Sequence, residues 1–186
     1  ISSTRVRESL RGAIDAVVAS AESFCGYVVE STPVHRQMEV GKLAKFSSGK
    51  SIAVTCLPQS PSGNCSIPVY GGNGIAGYTS APLAGTLLPT VVIGRVGQFC
   101  GVTILTSGPA WITDNALYPV HVDERIDMAF LSIVLRGRKL NRGKLGEYLP
   151  LITQKVVHSV LIPVPDRAEQ ARMVDVLREM ECSASR

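Results

Sequence analysis

Apolar side chains near the start of the chain recur at steps of three and four residues, the spacing of one face of an α-helix. Within residues 3–24 this stripe consists of Val6, Leu10, Ile14, Val17 and Ala21. The pattern predicts an amphipathic helix over 3–24. Because the stripe is narrow and spaced like a heptad repeat, it suits packing along a second helix, as in a coiled coil.

A second amphipathic helix is predicted at the other end of the chain, beginning after Asp166. The Asp166 side chain can cap its first turn, and Glu169 three residues later completes a pattern like a capping box. Its apolar stripe consists of Met173, Val176, Leu177 and Met180. Neither terminal helix has a helical neighbour in its own half of the chain, so we expect the two to pack as an antiparallel pair.

Between these helices, short β-branched runs bounded by Pro, Gly, Ser and Asn predict strands. The runs are SIAVTCL (51–57), SIPVY (66–70), TVVIGRV (90–96), GVTIL (101–105) and NALYPVHV (115–122). A third helix is predicted over 127–140, where apolar residues return to helical spacing. The predicted fold class is α+β: a twisted, partly closed β-sheet domain flanked by long helices.

A glycine-rich stretch, VYGGNGIAGYTS (69–80), contains the G-x-G-x-x-G spacing of dinucleotide-binding folds. In those folds a helix follows directly, yet Pro82 and Gly85 leave no room for one. The expected acidic residue is missing too, because no Asp or Glu lies between Glu39 and Asp114. The glycines therefore predict a tight loop with positive φ angles, or a hairpin connection, rather than a nucleotide site.

Other residue types give no sign of catalytic or metal chemistry. Five widely spaced cysteines form no C-x-x-C pair, which favours reduced thiols in a cytoplasmic protein, and the three histidines lack metal-ligand spacing. No nucleophile elbow or triad order is present. No apolar run approaches the roughly 18 residues that cross a bilayer, and the first residues do not resemble a signal peptide. We therefore expect no metal, no cofactor and no membrane contact.

Charge is distributed unevenly along the chain. The net charge is +4, but residues 40–165 contain 11 basic and 5 acidic residues while the two flanks together are slightly acidic. Five basic residues fall within nine positions: Arg136, Arg138, Lys139, Arg142 and Lys144. Such a cluster suits a phosphate backbone. A solvated basic loop without a partner explains it equally well.

Several motifs in one order resemble a known family. They are GKLAKFSSGKSI (41–52), VYGGNGIAGY (69–78), VVIGRVGQFCG (91–101), AWITDNALY (110–118), then Ile152-Thr153-Gln154, Ile162-Pro163-Val164-Pro165 and Glu169-Gln170. This succession is similar to a target-recognition domain in the DNA specificity subunit of type I restriction–modification systems. The resemblance covers nearly the whole chain from Glu39 onward.

The family implies a function without catalysis by this chain. Such a subunit recognises a sequence in double-stranded DNA and holds the methyltransferase subunits, and sometimes the restriction subunit, on it. A full subunit carries two recognition domains separated by long paired helices. This sequence has one, which divides it into an N-terminal helix region (1–35), a recognition domain (36–165) and the start of a C-terminal helix (166–186).

A single recognition domain leaves three origins open: half of a longer chain, a half-subunit that forms a homodimer through its helices, or part of a fusion. In a fused restriction–methylation enzyme the catalytic residues would lie elsewhere in the parent chain. A different reading is a protein-interaction module, whose helices are the working surface and whose basic middle is incidental.

The resemblance also implies roles for individual residues. Phosphate contacts would come from basic side chains, one or two of which would read base edges: Lys42, Lys45, Lys50, Arg95, Arg136, Arg138, Lys139, Arg142 and Lys144. The glycine-rich loop would bring Asn73 and Tyr78 close to DNA or to a neighbouring loop. Polar candidates on adjacent loops are Ser47, Ser48, Ser51 and Gln154. We assign Trp111 to the core.

Overall fold

A computed structural model describes residues 3–33, 36–97, 99–140 and 151–183 of the chain. In chain order its helices are α1 (Ser3–Glu30), α2 (Met128–Gly137), α3 (Gln154–His158) and α4 (Arg167–Ser183). The predicted terminal and central helices are thereby confirmed, although α1 continues six residues beyond the predicted end and α2 is shorter. The short helix α3 was not predicted.

Strands fill the space between α1 and α4. They are β1 (Gln37–Glu39), β2 (Ala44–Ser48), β3 (Ile67–Gly71), β4 (Gly74–Thr79), β5 (Val91–Gly94), β6 (Thr103–Leu105), β7 (Trp111–Ile112), β8 (Ala116–Val122) and β9 (Leu161–Pro163). Within the described residues they form three open sheets, in the orders β2-β8-β5-β6, β4-β3-β7 and β1-β9. All neighbouring strands are antiparallel except β3 and β7. The α+β class is confirmed, but the predicted partly closed sheet is wrong, because β3 pairs with β4 and β7 instead of extending the four-stranded sheet.

Four of the five predicted strands are present, and SIAVTCL is wrong. In place of a strand, that run contains a 3-10 turn at Val54–Cys56, and Val54 is exposed. The run pairs with no neighbouring strand, and β-branched residues favour a strand only where a neighbour covers them. Strand β4 was not predicted, because it contains Gly74 and Gly77 and follows Gly71 and Gly72, and glycine is depleted in strands.

Strand β5 lies between two hydrophobic cores. Val91 and Ile93 point into the larger core, which fills the space between the helices and the four-stranded sheet. Val92 points to the opposite face, into a smaller core that includes Tyr70 and Ile112 of the three-stranded sheet. Successive side chains of a strand alternate between faces, so a strand buried on both sides reads as a continuous apolar run. Trp111 packs half-buried against the smaller core, as predicted.

The two terminal helices contact each other and run in opposite directions. Thr32, just past α1, and Glu169, in the first turn of α4, line one cavity. Glu22 of α1 and Glu181 near the end of α4 line another. Because residues earlier in α1 lie beside residues later in α4, the pair is antiparallel, which confirms the prediction for the described part of both helices.

The apolar stripes of the two helices are only partly as predicted. On α1, Ala21 is buried as expected, whereas the remaining stripe positions have side chains outside the described residues. On α4, Leu177 is buried but Val176 is 39% exposed, and Val174 takes the buried position instead. The helix is therefore rotated from the predicted face, because it must bury residues against α2 as well as α1.

Close backbone contact joins α1 to α2. A methyl group on Gly137 would lie 2.1 Å from the Cys25 carbonyl oxygen, closer than any side chain can approach. Asp127 caps the other end of α2, where its Oδ1 accepts hydrogen bonds from the Ala129 amide (2.8 Å) and the Phe130 amide (3.1 Å). Burial of the whole run 130–135 then fixes this helix in the larger core.

Candidate functional site

Four chain segments meet at one end of the sheets. They are the residues after β2, the turn between β3 and β4, the residues after β5, and the residues that lead into α3. The hairpin turn lies against the segment after β5, because a Cβ on Gly94 would meet the Gly72 carbonyl oxygen at 2.6 Å. Only glycine permits this approach of two backbones. The glycine-rich stretch is thus a hairpin with a strand after it, and no helix follows Gly77.

Backbone hydrogen bonds fix these segments to one another. The Arg95 amide donates to the Asn115 carbonyl (2.9 Å), and the Arg95 carbonyl accepts from the Ile152 amide (2.8 Å). The Lys50 amide donates to the Ile112 carbonyl (2.9 Å). Main-chain hydrogen bonds therefore join segments that are distant in sequence into one surface. We call this surface the loop surface.

A polar pocket of about 320 Å³ opens in the loop surface. Its lining residues are Ser48, Arg95, Leu117, Thr153, Gln154 and Lys155. Three predicted residues, Ser48, Arg95 and Gln154, come together here. No carboxylate is among the lining residues, so the local charge is positive.

Arg95 has an unusual position at this pocket. Its Nε atom is buried and has no hydrogen-bond partner among the described residues. A buried donor without a partner costs about 1–3 kcal/mol, and such groups are rare in folded proteins. The half-buried guanidinium is therefore placed at the pocket at a cost to stability.

Three further predicted residues lie on the loop surface beside the pocket. Lys50 and Ser51 follow β2 and are exposed. The Lys50 carbonyl accepts a hydrogen bond from Trp111 Nε1 (3.1 Å), which fixes the backbone there. Asn73 is exposed in the β3–β4 turn. Basic, hydroxyl and amide side chains are thus exposed on the segments that form the loop surface.

Other predicted residues lie elsewhere. Lys42 is in a 3-10 turn, 3.8 Å from Glu39 in an exposed ion pair. Lys45 is exposed within β2, three residues before Ser48. Tyr78 lies near the far end of β4, away from the hairpin turn. The structure does not bring these three side chains to the pocket.

The predicted basic cluster is divided in the structure. Arg136 forms an ion pair with Glu181 of α4 at 2.8 Å. Arg138 donates from Nε to the Leu161 carbonyl (2.6 Å) and from its terminal nitrogen to the Gln37 side chain, and burial lowers its pKa. Both guanidinium groups are thus engaged in packing of α2. Lys139 is exposed, and the remaining two positions, Arg142 and Lys144, lie outside the described residues.

Sequence reasoning missed two pocket residues, Thr153 and Lys155. The Thr153 hydroxyl caps α3 by accepting from the Val156 amide at 3.4 Å. A signal was present: the run Thr153-Gln154-Lys155 is polar and exposed directly after the buried Ile152. Without α3 in the prediction, nothing placed that run beside Arg95.

The described residues hold no group of three or more His, Cys, Asp or Glu side chains arranged for a metal ion. Among the described helices, none combines the length and apolar character needed to cross a membrane. Burial raises the pKa of the Cys25 and Cys100 thiols, which disfavours the reactive thiolate form at both positions.

The sequence matches no protein-family model and no curated protein. Solved structures are similar. The HsdS subunit from Thermoanaerobacter tengcongensis has a TM-score of 0.62 at 18% identity, covering 98% of this chain and 47% of that one. A type I restriction–modification S subunit from M. genitalium has a TM-score of 0.71 at 15% identity, covering 96% of this chain and 50% of that one.

A third structure, of the assembly and conformational transition of a type I restriction–modification system, contains a chain with a TM-score of 0.65 at 20% identity. The match covers 98% of this chain and 49% of that one. This chain therefore spans about half the length of the S subunits it matches. The resemblance predicted from the motifs is confirmed at the level of the fold.

Proposed function

We propose that this chain is the recognition half of a type I restriction–modification specificity subunit, and that it reads a short sequence in double-stranded DNA through its loop surface. The observation that carries the proposal is a fold shared with S subunits over 96–98% of the chain. The basic loop surface supports it, because a protein that binds DNA needs cations for phosphates and amides for base edges.

Base reading is assigned to the side chains around the pocket opening. An Asn or Gln amide can pair with the edge of adenine, and Lys or Arg with guanine. Asn73 and Lys50 are exposed beside the pocket and meet this requirement. Loops that carry such residues on a rigid frame are a common arrangement for binding sites.

The catalytic steps of restriction and methylation are assigned to partner subunits in the cytoplasm. This chain would direct a methyltransferase subunit, and in some complexes a restriction subunit, to the target. We divide the chain accordingly into a helical region (1–35), a recognition domain (36–165) and the start of a second helical region (166–186). The helices α1 and α4 would contact the partners.

Selection of random duplex DNA tests this proposal. The chain is bound to its cognate methyltransferase subunit at moderate salt, and retained duplexes are sequenced. We expect enrichment of a motif of a few base pairs, because specific contacts discriminate by about 1–3 kcal/mol per base pair. Retention without enrichment would leave only a basic surface and contradict the proposal.

A second recognition half is required if the chain acts like the S subunits that it matches over half their length. We propose that α1 and α4 bring it, either in a homodimer or from another part of a longer chain. Exposed apolar side chains on these helices, Tyr27 (68% exposed) and Val176 (39% exposed), support an interface there. Light scattering of the purified chain measures its mass. A dimer mass supports self-association, and a strictly monomeric chain at high concentration contradicts it.

A further inference from the structure

The polar pocket of the loop surface is lined mainly by hydrogen-bond donors. Arg95 and Lys155 carry positive charge and can only donate hydrogen bonds. The Gln154 amide and the Ser48 hydroxyl can also donate. The Thr153 oxygen already accepts from the Val156 amide, which leaves its hydroxyl hydrogen available. The pocket therefore offers donors from five lining residues and no carboxylate.

A donor-rich pocket suits a ligand that only accepts hydrogen bonds. In the major groove adenine and cytosine present donors, which a donor-rich pocket does not match, while guanine and thymine present only acceptors. No base edge carries the negative charge that Arg95 and Lys155 favour. The non-bridging oxygens of a phosphodiester accept only and carry a negative charge. The volume of about 320 Å³ exceeds that of a few waters, at roughly 30 Å³ each, and leaves room for a phosphate group with part of its sugar.

Arg95 adds an independent observation. Its Nε is buried without a hydrogen-bond partner among the described residues, so the fold leaves this donor unsatisfied beside the pocket. A charged ligand would interact with this group without first displacing an internal ion pair. The lining residues thus present positive charge and donors with no carboxylate to neutralise them.

We infer that this pocket binds a single phosphate group of the DNA backbone, shared by Arg95 and Lys155. The inference rests on the proposed function and assigns the pocket to positioning rather than to base reading. The hairpin turn that carries Asn73 packs against the same backbone segment as Arg95. A phosphate fixed in the pocket would therefore set the register at which Asn73 meets the bases.

The test uses the full chain and two duplexes, one with the selected sequence and one scrambled. Dissociation constants are measured by fluorescence anisotropy between about 50 and 200 mM salt for wild type, Arg95→Gln, Lys155→Gln and the double variant. Arg172→Gln, on the exposed face of α4, removes the same charge as a control. Thermal melts identify any variant that fails to fold.

Both single variants are expected to weaken both duplexes by about tenfold, leaving the preference between them unchanged. Because each neutralised phosphate contributes about 0.9 to the slope of log K against log salt, the double variant lowers the slope by about one. A fall in the slope of about two would mean that Arg95 and Lys155 contact two separate phosphates, which would contradict a single shared phosphate. Loss of preference with an unchanged slope would mean that the pocket reads a base, and no change at all would remove it from the footprint.

A duplex with single phosphates replaced by neutral methylphosphonates locates the contact. Replacement of one particular phosphate should weaken duplex binding by wild type and have little further effect on binding by the double variant. If every replacement weakened binding by the double variant as much as binding by wild type, the inference would be contradicted. Inorganic phosphate against chloride at matched ionic strength provides the other arm. Thermal stabilisation by phosphate that the double variant loses, without any change in DNA binding, would assign the pocket to a free anion instead.

The outcome for the proposed function is separate. If wild type binds both duplexes equally, sequence recognition fails while the slope still tests the pocket.

Discussion

Gln170 connects three parts of the fold through one buried amide. Its Oε1 accepts from the Asp127 amide at 2.8 Å. Its Nε2 donates to the Arg125 carbonyl (2.7 Å) and to the Pro165 carbonyl (2.8 Å). The side chain is fully buried, so water cannot replace these bonds. These three hydrogen bonds give a physical role to the glutamine of the Glu169-Gln170 motif.

Replacing Gln170 by Ala should lower the free energy of unfolding by about 2–4 kcal/mol, because three half-buried backbone groups lose the partner that the buried side chain supplies. Urea unfolding followed by circular dichroism measures it. Gln59→Ala is the control, since that glutamine is exposed. Equal stabilities of the two variants would show that water reaches the Gln170 site.

Asp123 gives the chain an acid-sensitive contact. Hydrogen bonds from the Arg125 side chain and amide lower the pKa of its carboxyl from 3.8 to about 2. The unfolded chain therefore takes up the proton first as the pH falls. The stabilisation is complete above about pH 4 and is lost as the pH approaches 2. Asp123→Asn should show a smaller decline in melting temperature over this window than wild type, whereas Asp114→Asn, an exposed acid, should follow wild type. Parallel curves for Asp123→Asn and wild type would contradict the assignment.

At the scale of elements, helices were predictable because their signals are local. The predicted cap at Asp166 is confirmed, since its Oδ1 accepts from the Glu169 amide at 2.8 Å. The predicted buried face of α4 was wrong at Val176, which is exposed. The face that α4 buries depends on its contact with α2, which is distant in sequence. The strand prediction at 51–57 was wrong for the same reason. A β-branched run forms a strand only beside a pairing partner, and the position of that partner depends on the tertiary fold.

Arg138 fastens the end of α2 to the two-stranded sheet through Leu161 and Gln37. Arg138→Met should lower the free energy of unfolding by about 1.5–3 kcal/mol, since it removes charge-assisted hydrogen bonds in a half-buried site. The salt slope of DNA binding should stay that of wild type. Lys139→Met, at an exposed position, should leave stability unchanged. A reduced salt slope in Arg138→Met at unchanged stability would return this residue to the DNA footprint.

For the whole molecule, the loop surface could not be predicted from the sequence. Individual residues such as Arg95 and Gln154 were candidates by type, but they are 59 positions apart and meet only through backbone pairing. Lys155 was missed because its neighbours in space were unknown. By contrast, the uninterrupted apolar run of β5 is a local signal for a strand that is buried on both faces.

Gly94 joins the four-stranded sheet to the hairpin of the three-stranded sheet. A Cβ there would lie 2.3 Å from the Phe99 carbonyl oxygen and 2.6 Å from that of Gly72. Gly94→Ala should therefore destabilise the chain by about 1–3 kcal/mol and weaken DNA binding by moving the loops apart. Gly108→Ala, where an added Cβ meets nothing within 4 Å, should be neutral or slightly stabilising. Unfolding in urea and duplex affinity measure both, and equal behaviour of the two variants would contradict the close contact.

The loop surface is assembled by hydrogen bonds between amide and carbonyl groups, with side-chain bonds from Trp111 to the Lys50 carbonyl and from Cys100 to the Arg95 carbonyl. The exposed side chains at 50, 51, 73 and 154 take no part in those backbone hydrogen bonds. Exchanging them alters what the surface meets without disturbing how it is built. Under the proposed function, such a frame would let new sequence preferences arise by a handful of substitutions. A laboratory library restricted to these positions would then sample recognition while sparing stability.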